Sequence, residues 1–234
     1  MTEATQLSAE QNRSDHGAEE SRIDGLAAVL TTQPASRYDD KVVKALEHLR
    51  SQGVSFNDMS VTMLAKEVGI SRVTFYSHYG DKRRVVAMLA ERTAGRIAQE
   101  VEVWYRFAER LTYEELREVQ DRILSIMETH RTTLDLLIET STYDEELGKF
   151  YEGIKQTIGD MLGEVILKLR AAGRCDPGLE PSLGIVLANM FERNFYYFAA
   201  APGRERHEEV LSWLTESYWR LMYCKHVPTE PKLG

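Results

Sequence analysis

From residue 37 to residue 224 apolar side chains recur at intervals of three and four, and no stretch alternates apolar with polar over a β-branched run bounded by turns. Such spacing turns one face of each successive segment toward a common core and offers nothing to a sheet. The chain is therefore predicted to be all-α. At 234 residues with 43% apolar content it is long enough to bury a substantial core as one large or two modest domains.

Residues 58–82 carry the most specific local pattern. Ser60 is suited to cap a helix in which Val61, Leu64, Ala65 and Val68 share one face. Gly69 supplies the left-handed conformation that ends it, and Ile70 can pack in the corner that follows. Ser71 then caps a second helix beginning at Arg72, with Phe75 inward and Val73 and Tyr76 together on another side. Ser71, Arg72, Thr74 and His78 offer polar groups at the exposed N-terminal end, the end that a helix-turn-helix presents to base edges in the major groove. An ordinary helical hairpin with Arg72 and Thr74 on a solvated face is the alternative reading.

The aromatic and basic sequel, Phe75-Tyr76-Ser77-His78-Tyr79 followed by Asp81-Lys82, resembles the signature of the TetR family of bacterial transcriptional repressors. The likeness runs from about Asp39 to Leu89. It includes a preceding helix with Val42, Val43, Ala45, Leu46 and Leu49 that stops at Gly53. The resemblance implies an N-terminal three-helix bundle containing the helix-turn-helix, and a C-terminal helical domain for ligand binding and dimerisation. It also implies DNA contacts from Ser60 and Thr62, groove-facing positions at Ser71, Arg72, Val73 and Thr74, and Tyr76, His78 and Tyr79 near the sugar-phosphate backbone. Lys82 corresponds to the family's phosphate-contacting lysine. Two departures concern docking geometry: Gly80 stands where many relatives carry proline, and Lys82-Arg83-Arg84 is more basic than the usual lysine-glutamate start.

The formal net charge is −8, yet residues 37–90 hold 9 Lys+Arg against 6 Asp+Glu. Residues 1–36 hold 2 against 6. An acidic chain thus has one basic island, and it coincides with the motif; phosphate neutralisation there supplies sequence-independent affinity for a duplex. No run approaches the roughly 20 apolar residues of a membrane helix, and the first residues lack the apolar stretch of a secretory signal, so a cytoplasmic location and no membrane partner are expected. Cys175 and Cys224 lie far apart with no Cys-x-x-Cys pair, indicating plain thiols, with redox sensing as an outside alternative. The six histidines form no metal-binding pattern, and there is no Gly-rich phosphate loop or nucleophile elbow. No enzyme activity, metal or cofactor is assigned.

The expected organisation is a tail over 1–36, with a short helix possible at 22–31, a DNA-binding domain over 37–84, a ligand-binding and dimerisation domain over 85–226, and a tail over 227–234. A helix is predicted from about Asp81 to Trp104. Thr112 and Glu115 form a capping box for the next, which carries Leu116, Val119, Ile123, Ile126 and Met127. A shorter piece covers Leu134 to Ile138, and a long helix runs from about Thr142 to Ala172, where Gly173 and Pro177 stop it. The last two, about 181–199 and 205–224, have apolar stripes too wide for one buried face. Either they form a fully interior hairpin, or they pair with a second copy in a four-helix interface. A homodimer reading two half-sites of a palindromic operator in double-stranded DNA is the preferred reading.

Asn189, Glu192, Arg193 and Asn194 sit amid the aromatic residues of the penultimate helix, where burial without partners is costly. They either pair internally or help line an apolar cavity. The stretch Asn189–Phe198, with Val210 to Tyr223 after it, is similar to the mycobacterial ethionamide-resistance repressor branch of the same family. That likeness implies a pocket at Ile123, Met127, Tyr151, Ile158, Met161, Leu162, Phe191, Glu192, Phe195, Tyr196 and Tyr218, and a hydrophobic small molecule or acyl effector that relieves repression. The alternative is a regulator of the same fold that takes no small molecule and acts through a protein partner. A repressor and an activator share these features, the sign being set by where the operator lies.

Overall fold

The computed structural model describes residues 36–198 and 204–223, together with Gly25, Ala27, Ala28 and Leu30. Most of the 22–31 segment, Cys224 and the tail from 227 lie outside the described residues. Among those residues every regular element is an α-helix: α1 Asp39–Ser51, α2 Val61–Val68, α3 Arg72–Tyr79, α4 Lys82–Phe107, α5 Tyr113–Thr129, α6 Arg131–Ser141, α7 Glu145–Ala171, α8 Leu183–Phe198 and α9 Arg204–Met222. None is long and apolar enough to cross a membrane.

The helix ends follow the local chemistry. Asp39 and Asp40 occupy the first turn of α1 and Arg50 its last, each sign matching the helix dipole. The capping box at α5 is formed in both directions: Glu115 N–H donates to Thr112 Oγ1 at 3.2 Å, and Thr112 N–H donates to Glu115 Oε2 at 2.8 Å. Two boundaries differ from expectation. Helix α6 is longer than the predicted Leu134–Ile138, because Thr133, Leu136, Leu137 and Thr140 make a buried stripe. The hydroxyl of Thr140 donates to Leu136 O at 2.7 Å, which satisfies a side chain of low helix propensity within the turn. Helix α7 starts later than Thr142, at Glu145, because Thr142 caps α6 while Asp144 accepts from Leu147 N–H at 3.1 Å.

The described residues fall into two compact units that meet along the chain at 97/98, 124/125 and 155/156. The first unit holds residues 28–97 and 125–155, and the second holds 98–124 and the described residues from 156 on. Helices α4, α5 and α7 each contribute residues to both.

In the first unit Val42, Leu46, Phe56, Leu64, Phe75 and Val85 form one core with Leu136, Leu137 and Leu147. Helix α6 is therefore packed under the helix-turn-helix. Arg50 reaches Glu139 at 2.6 Å and Arg83 reaches Asp144 at 3.0 Å, reinforcing that packing.

In the second unit α7 and α8 approach closely through glycine: a Cβ at Gly159 would lie 2.8 Å from Ile185 Cα. Helix α5 meets α9 through His207–Asp121 at 2.6 Å, Arg117–Glu208 at 2.6 Å and the Tyr113–Trp219 rings at 5.6 Å. Trp104 Nε1–H donates to Tyr223 Oη at 2.7 Å in the interior, and Arg174 donates to Glu109 O and Leu111 O at 2.9 and 3.0 Å. Cys175 is a free, buried thiol whose pKa burial pushes up, a setting that disfavours the reactive thiolate.

Candidate nucleic-acid interface

Local hydrogen bonds set the ends of α2 and α3. Ser60 Oγ accepts from Met63 N–H at 3.2 Å to start α2. Gly69 ends it at φ 76°, and Ile70 N–H returns to Ala65 O at 2.9 Å. Ser71 Oγ accepts from Thr74 N–H at 3.0 Å and lies 2.8 Å from Thr74 Oγ1, which starts α3 at Arg72. Phe75 is buried at the core side of α3.

The opposite side is open. Ser60, Thr62, Ser71, Arg72, Val73, Tyr76 and His78 are exposed and Thr74 is half-buried. Val73 stands out at 79% exposure. An isolated exposed valine is unremarkable on most surfaces. Here it lies between Arg72 and Thr74 at the N-terminus of a helix, where an apolar side chain can meet a thymine methyl while its neighbours reach polar base edges. His78 is held edge-on against Tyr38, with ring centroids 5.1 Å apart.

Two expected contact residues have partners within the chain. Tyr79, expected near the sugar-phosphate backbone, is only 1% exposed. Its hydroxyl donates to Asp39 Oδ1 at 2.9 Å, and Arg92 pairs with Asp39 Oδ2. Phe75, one turn before it, lies at 5.1 Å between ring centroids, so Tyr79 continues the buried face of α3. Burial also raises its pKa, which keeps the phenol protonated as a donor.

Lys82 is the second. Its ammonium donates to Phe56 O at 2.7 Å, Asn57 O at 2.9 Å and Met59 O at 2.7 Å, and it sits 4.9 Å from the Phe56 ring centroid. An ammonium has three N–H donors, and three carbonyls match them. Contact with a phosphate from this position requires giving up one of those bonds. Burial, then Arg83 nearby, lowers the Lys82 pKa. Arg83 is exposed but paired with Asp144, whereas Asp81 Oδ1 caps α4 by accepting from Arg84 N–H at 2.8 Å. Gly80 adopts φ 74°, a value outside proline's fixed range near −65°.

The residues expected to line an effector pocket fall in both units. Met127 and Tyr151 belong to the first; Ile123, Ile158, Met161, Leu162, Phe191, Glu192, Phe195, Tyr196 and Tyr218 belong to the second. Within the second unit Ile123, Met161, Leu162, Phe191, Phe195 and Tyr218 are buried, and Ile158, Glu192 and Tyr196 are half-buried. Phe191 meets Tyr218 edge-on at 6.2 Å, and Phe195 meets Tyr196 at 5.0 Å. The Tyr218 hydroxyl is satisfied by Leu187 O at 2.7 Å.

The polar quartet of α8 is not a buried cluster. Asn189 and Arg193 are exposed, and Glu192 and Asn194 are half-buried. Asn189 and Asn194 donate back to Ile185 O and Met190 O, four residues earlier, at 2.8 and 2.7 Å. Among the described residues, Gln120 of α5 is a buried side chain with neither its Nε2 nor its Oε1 hydrogen-bonded. The sequence carried a signal for it: Gln120 interrupts the apolar spacing of Leu116, Val119, Ile123 and Leu124.

No family model matches the chain, and no curated protein sequence matches it. Solved structures do. A protein from Mesorhizobium loti assigned to the TetR family of transcriptional regulators superposes with a TM-score of 0.55 at 18% identity, over 78% of this chain and 95% of that one. Apo AibR gives 0.54 at 16% identity, over 77% and 97%. A Rhodococcus protein of unknown function gives 0.54 at 20% identity, over 82% and 98%. The chain thus has the all-helical fold that a TetR-family protein also has.

Proposed function

We propose that this chain is a dimeric, sequence-specific DNA-binding regulator, a repressor released by a hydrophobic small molecule or acyl ligand. The observation that carries the reading is the open N-terminal face of α3, where exposed Arg72 and Val73 and half-buried Thr74 stand together behind the Ser71 cap. That face offers a bidentate donor, a methyl-bearing surface and a hydroxyl, the complement needed to distinguish base pairs in the major groove. The single basic island of the chain surrounds it.

Dimerisation is supported by the exposed apolar side chains Leu183 and Val186 on α8 and Trp213 and Leu221 on α9, which belong to one unit. Two α3 helices in a symmetric dimer read two half-sites and gain the effective concentration of a linked pair. The effector part draws support from the buried aromatic residues Phe191, Phe195 and Tyr218 and from the likeness of residues 189–198 to the ethionamide-resistance repressor branch. Helix α4 carries residues of both units, so a ligand that favours one bend or rotation of α4 resets the separation of the two α3 helices. Only differential affinity for the two conformations drives such a switch, and near-complete release needs about 10⁴-fold preference.

Selection of fragments from the source genome by the intact protein, followed by footprinting, tests the reading. A symmetric protected site with two equivalent half-sites is the expected result. Protection that lacks two-fold symmetry, or no selected site, overturns it.

A further inference from the structure

Gln120 lies at the middle of the buried arc of α5. One helical turn to either side stand Leu116, Ile123 and Leu124, all buried, and Gln120 itself is 0% exposed. Neither its Nε2 nor its Oε1 has a hydrogen-bond partner. Other buried polar groups of the second unit are matched: Thr215 Oγ1 by Leu211 O, Tyr218 Oη by Leu187 O, and Trp104 Nε1 by Tyr223 Oη. A carboxamide left with both its donor and its acceptor unmatched in an apolar interior is a cost that folding does not recover.

We infer that Gln120 is the polar anchor of the effector site, and that the effector is a neutral amide carried on an apolar body. The inference rests on the proposed reading of the second unit as effector-responsive. A carboxamide presents an N–H donor and a C=O acceptor side by side, so its complement is a group presenting acceptor and donor in the reverse order. A primary or secondary amide with a free N–H does this with two parallel hydrogen bonds. An ester or a tertiary amide offers only the acceptor and leaves Gln120 Oε1 unmatched, and a carboxylate sets an anion against that same oxygen. The buried Phe191, Phe195 and Tyr218 of the same unit suit the apolar remainder. Discrimination by a buried polar group is steep because the wrong ligand leaves the group unpaired.

Calorimetric binding of decanamide, methyl decanoate and N,N-dimethyldecanamide to the full chain without DNA is the test, with Gln120→Met as the near-isosteric variant. Decanamide is expected to bind wild type at least about tenfold tighter than either compound lacking the N–H donor. Gln120→Met is expected to reduce that preference to about twofold or less while methyl decanoate binds as before. The unliganded variant should melt no lower than wild type, since it loses only unmatched polar groups. Equal binding of decanamide and its dimethyl form by wild type overturns the inference without any variant, as does an unchanged preference in Gln120→Met. Operator release is scored separately. Decanamide bound through Gln120 with no change in operator affinity sinks the effector reading and keeps the site. Release by an unrelated compound with no Gln120 dependence does the reverse.

Discussion

The Tyr79 hydroxyl donates to Asp39 Oδ1 at 2.9 Å, joining the last residue of α3 to the first residue of α1. Arg92 on α4 pairs with the other oxygen of the same carboxylate. One buried aspartate therefore ties together three helices that must hold α3 at a fixed angle. Tyr79→Phe removes the donor while keeping the ring, and is expected to lower unfolding free energy by about 1 kcal/mol. Asp39→Ala should cost more, because it removes the ion pair with Arg92 as well. Urea unfolding followed by operator titration measures both effects. Loss of stability with unchanged operator affinity in Asp39→Ala would show that the tie does not position α3.

The proposed function has Arg72 and Thr74 read bases, so on that reading Arg72→Ala should remove sequence preference more than general affinity. If Arg72 reads a guanine, the loss on the selected site is about 1 to 3 kcal/mol. Competition between the selected site and scrambled duplex at fixed salt measures it. An equal loss on both duplexes would reassign Arg72 to phosphate contact.

Lys82 makes the opposite case. A lysine held by three carbonyls at 2.7 to 2.9 Å acts first on the loop of residues 56–59 that leads into α2. Lys82→Ala is expected to lower the melting temperature of the chain and to weaken selected and scrambled duplex alike. The slope of log affinity against log salt should fall by less than the value near 0.9 that one lost phosphate contact gives. A full unit of lost slope without loss of stability would return Lys82 to the phosphate role that its family resemblance implies.

These placements show what the sequence carries and what it does not. Ser60, Gly69 and Ser71 announce the helix-turn-helix because caps and turns act over three or four residues, and the structure contains each of those hydrogen bonds. The capping box at Thr112 was legible for the same reason. Tyr79 and Lys82 were not, because their partners Asp39 and Phe56 lie 40 and 26 residues away and no local pattern records them. The polar quartet of α8 misled in the other direction. Composition alone suggested a buried cluster, whereas rotation about the helix axis turns Asn189 and Arg193 outward. Gln120 was visible as an interruption in an apolar stripe, but only the packed core shows that nothing answers it.

His130 supplies a pH dependence. It sits at the N-cap of α6, and Arg96 Nη1 lies 2.7 Å from its Nε2, where the neutral ring can accept. Burial, then the Arg96 charge, lowers its pKa below the ordinary 6.5, with Asp40 opposing. The unfolded chain therefore binds the proton more readily than the native one. Stability from the neutral ring is complete above the unfolded value near 6.5 and is lost as pH falls through the lowered native value. Melting temperatures of wild type and His130→Gln should diverge less at about pH 5 than at about pH 7.5. A gap that is the same at both would remove His130 from the acid response.

The dimer is the remaining premise, and it is open to a direct challenge at Val186. This residue is 56% exposed on α8, on a unit that also exposes Leu183, Trp213 and Leu221. Replacing an exposed valine by glutamate in an isolated monomer costs little, since the carboxylate remains in water. In a symmetric interface the same change sets two charges against each other in an apolar patch, because the same surface occurs on both copies. Val186→Glu should therefore leave the melting temperature of dilute protein close to that of a monomeric reference while abolishing dimers in sedimentation velocity. Operator affinity should drop by about 10² or more, because the second half-site loses its intramolecular advantage. A variant that still sediments as a dimer would place the interface on another face and separate palindromic recognition from α8.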